Sequence, residues 1–308
     1  MDIKAQLVKS LPSSYTPRVG IGVPVYNGED YLEATLDSLL AQSFSDFEVF
    51  IADNASTDRT EQICRDYANG DSRVHYIRNP INLGASKNYT TCYHPSENEY
   101  FRWQNADDPI APNHLELCVR SLDENPQAVL TYGKTKIIDQ HSELIELYDD
   151  NLDLRQASPY QRFVTCRESI GLSNILYGLM RREQLAKTAL MGDYIASDIN
   201  LIGELALYGQ FHELPYYLFF RRMHPAASSW DRSDSERQNE FWDPSKSKLL
   251  MQTWRSCYEY FRAVGRAPIS AREKVPLFYY LFKEINWRKK ALGQDLTHLI
   301  KHGLSRLN

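Results

Sequence analysis

An α/β fold with a mixed, mostly parallel sheet, flanked by helices and followed by a helical C-terminal region, is what this sequence predicts. Two observations carry that expectation. Short apolar runs bounded by turn residues alternate with stretches whose apolar residues recur at helical spacing, the order that parallel pairing requires. Two acidic turns, Asp53-Asn54-Ala55-Ser56-Thr57-Asp58 and Asn105-Ala106-Asp107-Asp108, each follow directly on a strand-like run, where open α/β sheets gather their ligands.

The first strand is Val19 to Val25, apolar at every second position and ending in the turn Tyr26-Asn27-Gly28. A helix follows, with Leu32, Leu36, Leu39 and Leu40 as its buried stripe and Glu29, Asp30 and Glu33 suiting its positive N-terminal end. Phe47 to Ala52 is the second strand and delivers Asp53. Ser56 or Thr57 is then expected to cap a helix carrying Ile63, Cys64 and Tyr67 on one side. Val74 to Ile77 forms a short strand, and Asn79 to Gly84 a loop opening a helix over 85–92. Tyr100 to Trp103 is the next strand, leading to Asp107 and Asp108. A helix near Pro112 follows, with Leu115, Cys118, Val119 and Leu122 on one face. Ala128 to Tyr132 and Lys134 to Ile138 read as two further strands near an edge, so the sheet is not expected to be purely parallel.

These residues carry a resemblance. Pro24-Val25-Tyr26-Asn27-Gly28, the turn from Asp53 to Asp58, Asn82-Leu83-Gly84 with Asn88, and Asp107-Asp108 are similar to the ordered motifs of family 2 glycosyltransferases with the GT-A fold. Tyr177-Gly178-Leu179-Met180-Arg181-Arg182, Ser197-Asp198 and Arg222-Met223-His224 resemble later segments of the same family. The likeness runs from about Arg18 to Ser229. It implies a GT-A domain over 18–229, after an N-terminal extension over 1–17 and before a linker and helical region over 230–308.

What the resemblance implies for function is an inverting transfer of a sugar from a nucleotide-diphosphate sugar, UDP-linked in most of the family, to a glycan or lipid-linked glycan acceptor in surface polysaccharide synthesis. Asp53 would accept hydrogen bonds from the donor base, with Pro24 and Tyr26 shaping its pocket and Asn27, Asn82, Asn88 and Ala106 around the nucleotide sugar. Capping a helix is the other role open to Asp53, and capping is the main role expected of Asp58. Asp107, with Asp108 beside it, would hold Mn²⁺ or Mg²⁺ against the departing diphosphate. The family carries Asp-x-Asp where this chain has Asn105-Ala106-Asp107, so an amide replaces the first acid. Asn105 keeps an acceptor oxygen without the charge and is expected to weaken the metal site or to contact the donor sugar or ribose. That substitution leaves open a non-catalytic nucleotide-sugar binding protein with a degenerate metal site.

Asp198 precedes Ile199, Ile202, Leu205 and Ala206 and so starts a helix. The resemblance makes it the base that takes the acceptor's proton, and helix capping is its other role. Glu204 falls off that face. After the aromatic run Tyr216 to Phe220, Arg221 or Arg222 is placed to contact the diphosphate and His224 to ligate the metal or donate to phosphate. Lys87 is another phosphate contact by position, or a solvated lysine. A sugar nucleotidyltransferase would share the acidic ligands, but no Gly-rich triphosphate loop adjoins the first strand.

Composition agrees. The 308 residues are 43% hydrophobic, enough for a large domain with an appendage. A net charge of -5 argues against a nucleic-acid partner, which needs a basic patch or stripe. Five widely spaced cysteines show neither zinc nor redox spacing and suit a reducing cytoplasm. No leader-like start is expected, and no run approaches the ~18 apolar residues of a membrane span. Trp230 to Pro244 reads as a polar lid or linker. Beyond it, Trp254, Tyr258 and Phe261 share a helical face, and the aromatic stretch Leu277 to Trp287 meets Arg288-Lys289-Lys290. Such a segment packs its aromatics on the preceding domain or rests peripherally on an anionic membrane.

Overall fold

The computed structural model describes residues 15–225, 227, 238, 241–245 and 250–304. Its strands are β1 (Val19–Val25), β2 (Phe47–Asp53), β3 (Val74–Arg78), β4 (Tyr100–Trp103), β5 (Ala128–Ile138), β6 (Leu144–Tyr148), β7 (Leu179–Arg181) and β8 (Gln210–Arg222). Helices α1 (Leu32–Leu40), α2 (Thr60–Gly70), α3 (Ala85–Tyr93), α4 (His114–Glu124), α5 (Pro159–Ser169), α6 (Arg182–Leu185) and α7 (Ser197–Tyr208) lie between them. α8 (Gln252–Arg266), α9 (Ala271–Trp287) and α10 (Lys289–Leu304) end the described chain.

The sheet runs in the order β3-β2-β1-β4-β7-β5-β6, with β8 on the other edge of β5. β1 pairs in parallel with both β2 and β4, and β2 with β3. β7 enters antiparallel to β4 and β5, and β8 runs parallel to β5. The mixed sheet therefore agrees with expectation. The chain winds outward from β1 to β3, then returns to the other side of β1 as β4. That reversal is a topological switch point, and a crevice opens there at the carboxyl ends of β1 and β4.

Each face of the sheet has its own core. Val19, Ile21, Val23 and Val25 of β1 point toward α1, α2 and α4, where Leu32, Leu36 and Leu39 are fully buried. Each such side chain contributes about 1.5–3 kcal/mol on leaving water. The opposite face holds Phe50, Phe101 and Trp103 against Tyr89, Cys92 and Tyr93 of α3. Helix α3 lies so close that a Cβ on Gly22 would sit 2.7 Å from the Cys92 sulfur, which is why β1 alternates glycine with large apolar residues.

Four expectations are corrected. Residues 128–138 form one strand rather than two. Its register against β8 shifts at Gly133, where an added Cβ would meet the Leu218 side chain at 2.6 Å. Ser56 and Thr57 do not cap α2, which starts at Thr60 without a side-chain cap. In α8 the buried positions are Ser256, Glu259, Tyr260, Ala263 and Val264, while Trp254 and Tyr258 are exposed. The segment Leu277 to Trp287 buries Leu277, Tyr280 and Leu281 but exposes Tyr279, Phe282 and Trp287. The aromatics that do pack, Tyr260 and Tyr280, join Phe163 of α5 and Leu207 of α7, so the C-terminal helices rest on the back of the sheet domain. The lid expected over Trp230 to Pro244 lies mostly outside the described residues, as does the extension before Tyr15. Among the described residues no helix is long and apolar enough to cross a membrane.

Candidate active site

A cleft of about 370 Å³ opens at the switch point. Pro24 to Gly28 from the end of β1 form one wall, Asn105 to Asp108 from the end of β4 another, and Tyr89, Tyr177, Arg221, Arg222 and His224 close it.

The turn after β1 is held by the turn after β2. Asn27 adopts φ 50°, a left-handed conformation that Asn tolerates. Its amide donates to the Ser56 hydroxyl (2.9 Å), and its side-chain oxygen accepts from the Thr57 amide (2.8 Å). The Gly28 amide donates to Thr60 (2.8 Å). Ser56 and Thr57 thus serve the cleft wall; α2 begins only at Thr60 with Arg59 at its N-cap position, so both lie too early in the chain to cap it. Asp58 accepts from the Thr60 and Glu29 amides (3.0 and 3.1 Å), a structural role.

Asp53 does not line the cleft. It is fully buried: one oxygen accepts from the Ser56 amide (2.8 Å), the other from the Tyr76 hydroxyl (2.8 Å) and the Arg78 guanidinium. Asn88 donates to the carbonyls of Ala52 (2.8 Å) and Val25 (3.3 Å), tying β2 to β1, and accepts from Asn79 (2.9 Å). The Asn82 side-chain oxygen accepts from Asn54 (2.7 Å) and from the Gly84 amide (2.9 Å). Asn82 and Asn88 line the cleft while building its floor.

The acidic loop splits its two carboxylates. Asp107 lies 2.9 Å from Nε2 of His224, and both line the cleft. Asp108 is 2% exposed and turned inward: its oxygens accept from the Arg222 amide (2.7 Å) and from the Asn105 side chain (2.8 Å). Burial, then the adjacent Asp107 charge, holds its carboxyl far above the ordinary carboxylate range. Asn105 also accepts from the Tyr89 hydroxyl (2.8 Å), so both ends of the amide are engaged. Below the loop, the fully buried Arg102 donates to Gln104 (2.7 Å), whose amide donates in turn to the Asp108 carbonyl.

Among the described residues no three His, Cys, Asp or Glu side chains converge on one point. The donors that fit a divalent cation are the Asp107 carboxylate and the His224 imidazole. Two protein ligands suit Mg²⁺ or Mn²⁺, which are commonly bound by few side chains together with phosphate oxygens and water. Asp108, expected as a further ligand, has both oxygens committed elsewhere.

Arg222 is likewise committed. Its guanidinium donates to the carbonyls of Asp107 (3.1 Å) and Asp139 (3.0 Å) and to the Ser142 hydroxyl (3.0 Å), over the Tyr31 ring. It locks the acidic loop to the β5–β6 turn. Arg221, which donates to Asn174 (2.6 Å) and the Leu172 carbonyl (2.7 Å), also reaches the cleft. Lys87 is exposed on α3.

Asp198 stands in the first turn of α7, outside the cleft lining, yet its charge helps raise the pKa of the Tyr89 and Tyr177 hydroxyls, after burial as the main cause. Those hydroxyls lie 3.4 Å apart. Glu204 is buried in a two-pronged ion pair with Arg266 (2.9 and 2.8 Å), a structural role. Tyr89 and Tyr31 are cleft residues that the sequence had not singled out. Tyr89 directly follows Asn88 on a helix, and that adjacency was the available signal.

Residues 21–173 match the model of glycosyl transferase family 2. Over 210 residues the chain is 29% identical to an uncharacterized glycosyltransferase of Rickettsia typhi, covering 68% of this chain and 60% of that protein. Over 107 residues it is 30% identical to the glycosyltransferase GlyA of Streptococcus pneumoniae, covering 35% of this chain and 15% of that one. The chain thus spans about 60% of the Rickettsia relative's length. S. aureus TarS (1–349), solved with UDP-GlcNAc, superposes with a TM-score of 0.62 at 17% identity, over 87% of this chain and 72% of that one. The mannosyltransferase PcManGT of Pyrobaculum calidifontis, solved with GDP-Man and Mn²⁺, gives 0.51 at 15% identity, over 99% of this chain and 92% of that one. A switch-point cleft walled by an acidic loop, within a sheet shared with these proteins, agrees with that match: residues 21–173 form a glycosyl transferase family 2 domain, and the chain has the GT-A fold.

Proposed function

We propose that this protein is an inverting glycosyltransferase that moves a sugar from a UDP-linked donor to a hydroxyl of a glycan acceptor in surface polysaccharide synthesis. The observation that carries the reading is the Asp107–His224 pair at the mouth of the switch-point cleft, a carboxylate and an imidazole 2.9 Å apart. The UDP and UDP-GlcNAc complexes of TarS support a UDP donor.

The nucleotide lies along the β1 turn, among Pro24, Tyr26 and Asn27. Asp53 acts at one remove, holding Ser56 and with it the turn that receives the base. Asp107 and His224 would hold Mn²⁺ or Mg²⁺, which when bound would supply positive charge to the diphosphate. Arg221 adds a guanidinium at the same wall. Asp198 takes the acceptor hydroxyl's proton; the oxygen attacks the anomeric carbon from the face opposite the diphosphate, and the C–O bond to phosphate breaks with its electron pair leaving on the nucleotide. One such displacement inverts the anomeric centre. Tyr89 and Tyr177 stay protonated and offer hydroxyls to the sugar. The 18–229 segment is the catalytic unit, and the C-terminal helices buttress it.

Calorimetric titration with UDP, GDP, CMP and dTDP, each with Mn²⁺ and with a chelator, tests the donor assignment. Selective, metal-strengthened binding of UDP is expected, and no binding of any nucleotide overturns it. Binding without turnover of any UDP-sugar favours the degenerate binding protein instead.

A further inference from the structure

We propose that the outward face of α9 docks on an anionic lipid surface. Val275, Tyr279 and Phe282 are 67, 62 and 63% exposed, and their spacing of four and three residues sets them in one stripe. A stripe of large apolar side chains left in water needs an occupant, and the charge around it selects one. The whole chain carries -5, yet residues 251–304 contain ten Lys and Arg against four acids. All four acids are used internally. Glu259 pairs with Arg255 and Arg262, and Glu284 with Arg167 and Arg288. Glu273 closes a capping box with Ser270, and Asp295 accepts from the Thr253 amide (2.8 Å). Lys283, Lys289 and Lys290 are exposed and meet no carboxylate among the described residues. Lys283 stands 4.5 Å from the centre of the Tyr279 ring, so cation and aromatic share one surface. Aromatic residues that enter the headgroup region, beside lysines that pair with anionic lipid, make an interfacial helix. A second copy presenting the same basic face is disfavoured by like charge.

The test is flotation of the full chain with vesicles of equal parts phosphatidylglycerol and phosphatidylcholine, against phosphatidylcholine alone. Preferential binding to the anionic vesicles, weakening as salt screens the charge, is expected. Tyr279→Ser with Phe282→Ser, and separately Lys283→Glu with Lys289→Glu, should each lower partitioning at least about tenfold. Both variants should keep nucleotide binding, and the lysine variant, changed at exposed positions, should also keep the parent's thermal midpoint, whereas the aromatic variant gives up the edge-on contact of Phe282 with Phe261 (5.1 Å). No partitioning of the parent overturns the proposal, as does equal partitioning of parent and variants. A dimer in sedimentation that the same substitutions dissolve, without vesicle binding, assigns the face to a second copy and also overturns it. The assay reads no turnover, so it stands or falls apart from the transferase reading.

Discussion

Asn105 donates to Asp108 across 2.8 Å while its oxygen accepts the Tyr89 hydroxyl at the same distance. An aspartate at position 105 would set two carboxylates face to face in a buried site whose one acid is already held above its usual range. The amide is therefore what this loop requires, and its presence does not by itself record a lost metal ligand. Asn105→Asp is expected to destabilise by about 1–3 kcal/mol at pH 8, the scale of an uncompensated buried polar contact. Below neutral pH, where a shared proton relieves the repulsion, the deficit should shrink. Urea denaturation at the two pH values checks this, and a variant as stable as the parent at pH 8 would refute it.

The two residues facing the cleft from that loop and from the end of β8 should govern metal response. Asp107→Asn and His224→Gln are each expected to weaken Mn²⁺-dependent UDP binding at least about tenfold, since changes even to residues supporting a metal ligand reach that size. Metal-free UDP binding should change much less. Titration with and without chelator separates the two effects, and undiminished Mn²⁺ stimulation in both variants would move the ion elsewhere.

Two acids on α7 are expected to part company. Asp198→Asn should lower turnover by roughly 10²–10⁴, the range of a general base, with UDP binding nearly intact. Glu204→Gln should leave the chemistry alone and cost about 3 kcal/mol, because it strips the Arg266 guanidinium of its buried partner. Turnover and thermal midpoints measured on both variants decide it. Lost nucleotide binding in Asp198→Asn would sink the base assignment.

The alternation of strands and helices was legible because each strand is short, apolar and bounded by turn residues. Asp107 and His224 line the cleft, where Asp107's place after a strand and the likeness of both segments to the family motifs led them to be expected. The direction a strand-end acid faces was not. Asp53 turns back into the sheet because Tyr76 and Arg78, on a strand more than twenty residues later, converge on it. Arg222 is likewise drawn from a diphosphate role by carbonyls on two distant loops, and local pattern carries no record of such long-range partners. Tyr89 escaped notice because it is a helical aromatic, and spacing alone reads such a residue as core.

A last buried acid yields a pH dependence with a definite sign. Asp150 is 3% exposed and neither of its oxygens makes a well-formed hydrogen bond. Burial pushes its carboxyl up to about 7, against the smaller pull of the Asn174 amide and the Arg221 charge. In the unfolded chain an aspartate titrates at about 3.9. Below pH ~4 both states hold the proton and Asp150 contributes nothing to the slope. Between about 4 and 7 the unfolded chain releases it while the folded chain keeps it, so stability falls as pH rises. Above about 7 the loss is complete. A shift of this size sets a ceiling of about 4 kcal/mol, and relaxation around the site should leave about 2. Asp150→Asn keeps the shape and removes the charge, so its gain over the parent should grow from pH 5 to pH 8. Asp108, which titrates in both proteins, cancels from the difference. Parallel stability curves for parent and variant across that range would show that Asp150 ionises without penalty.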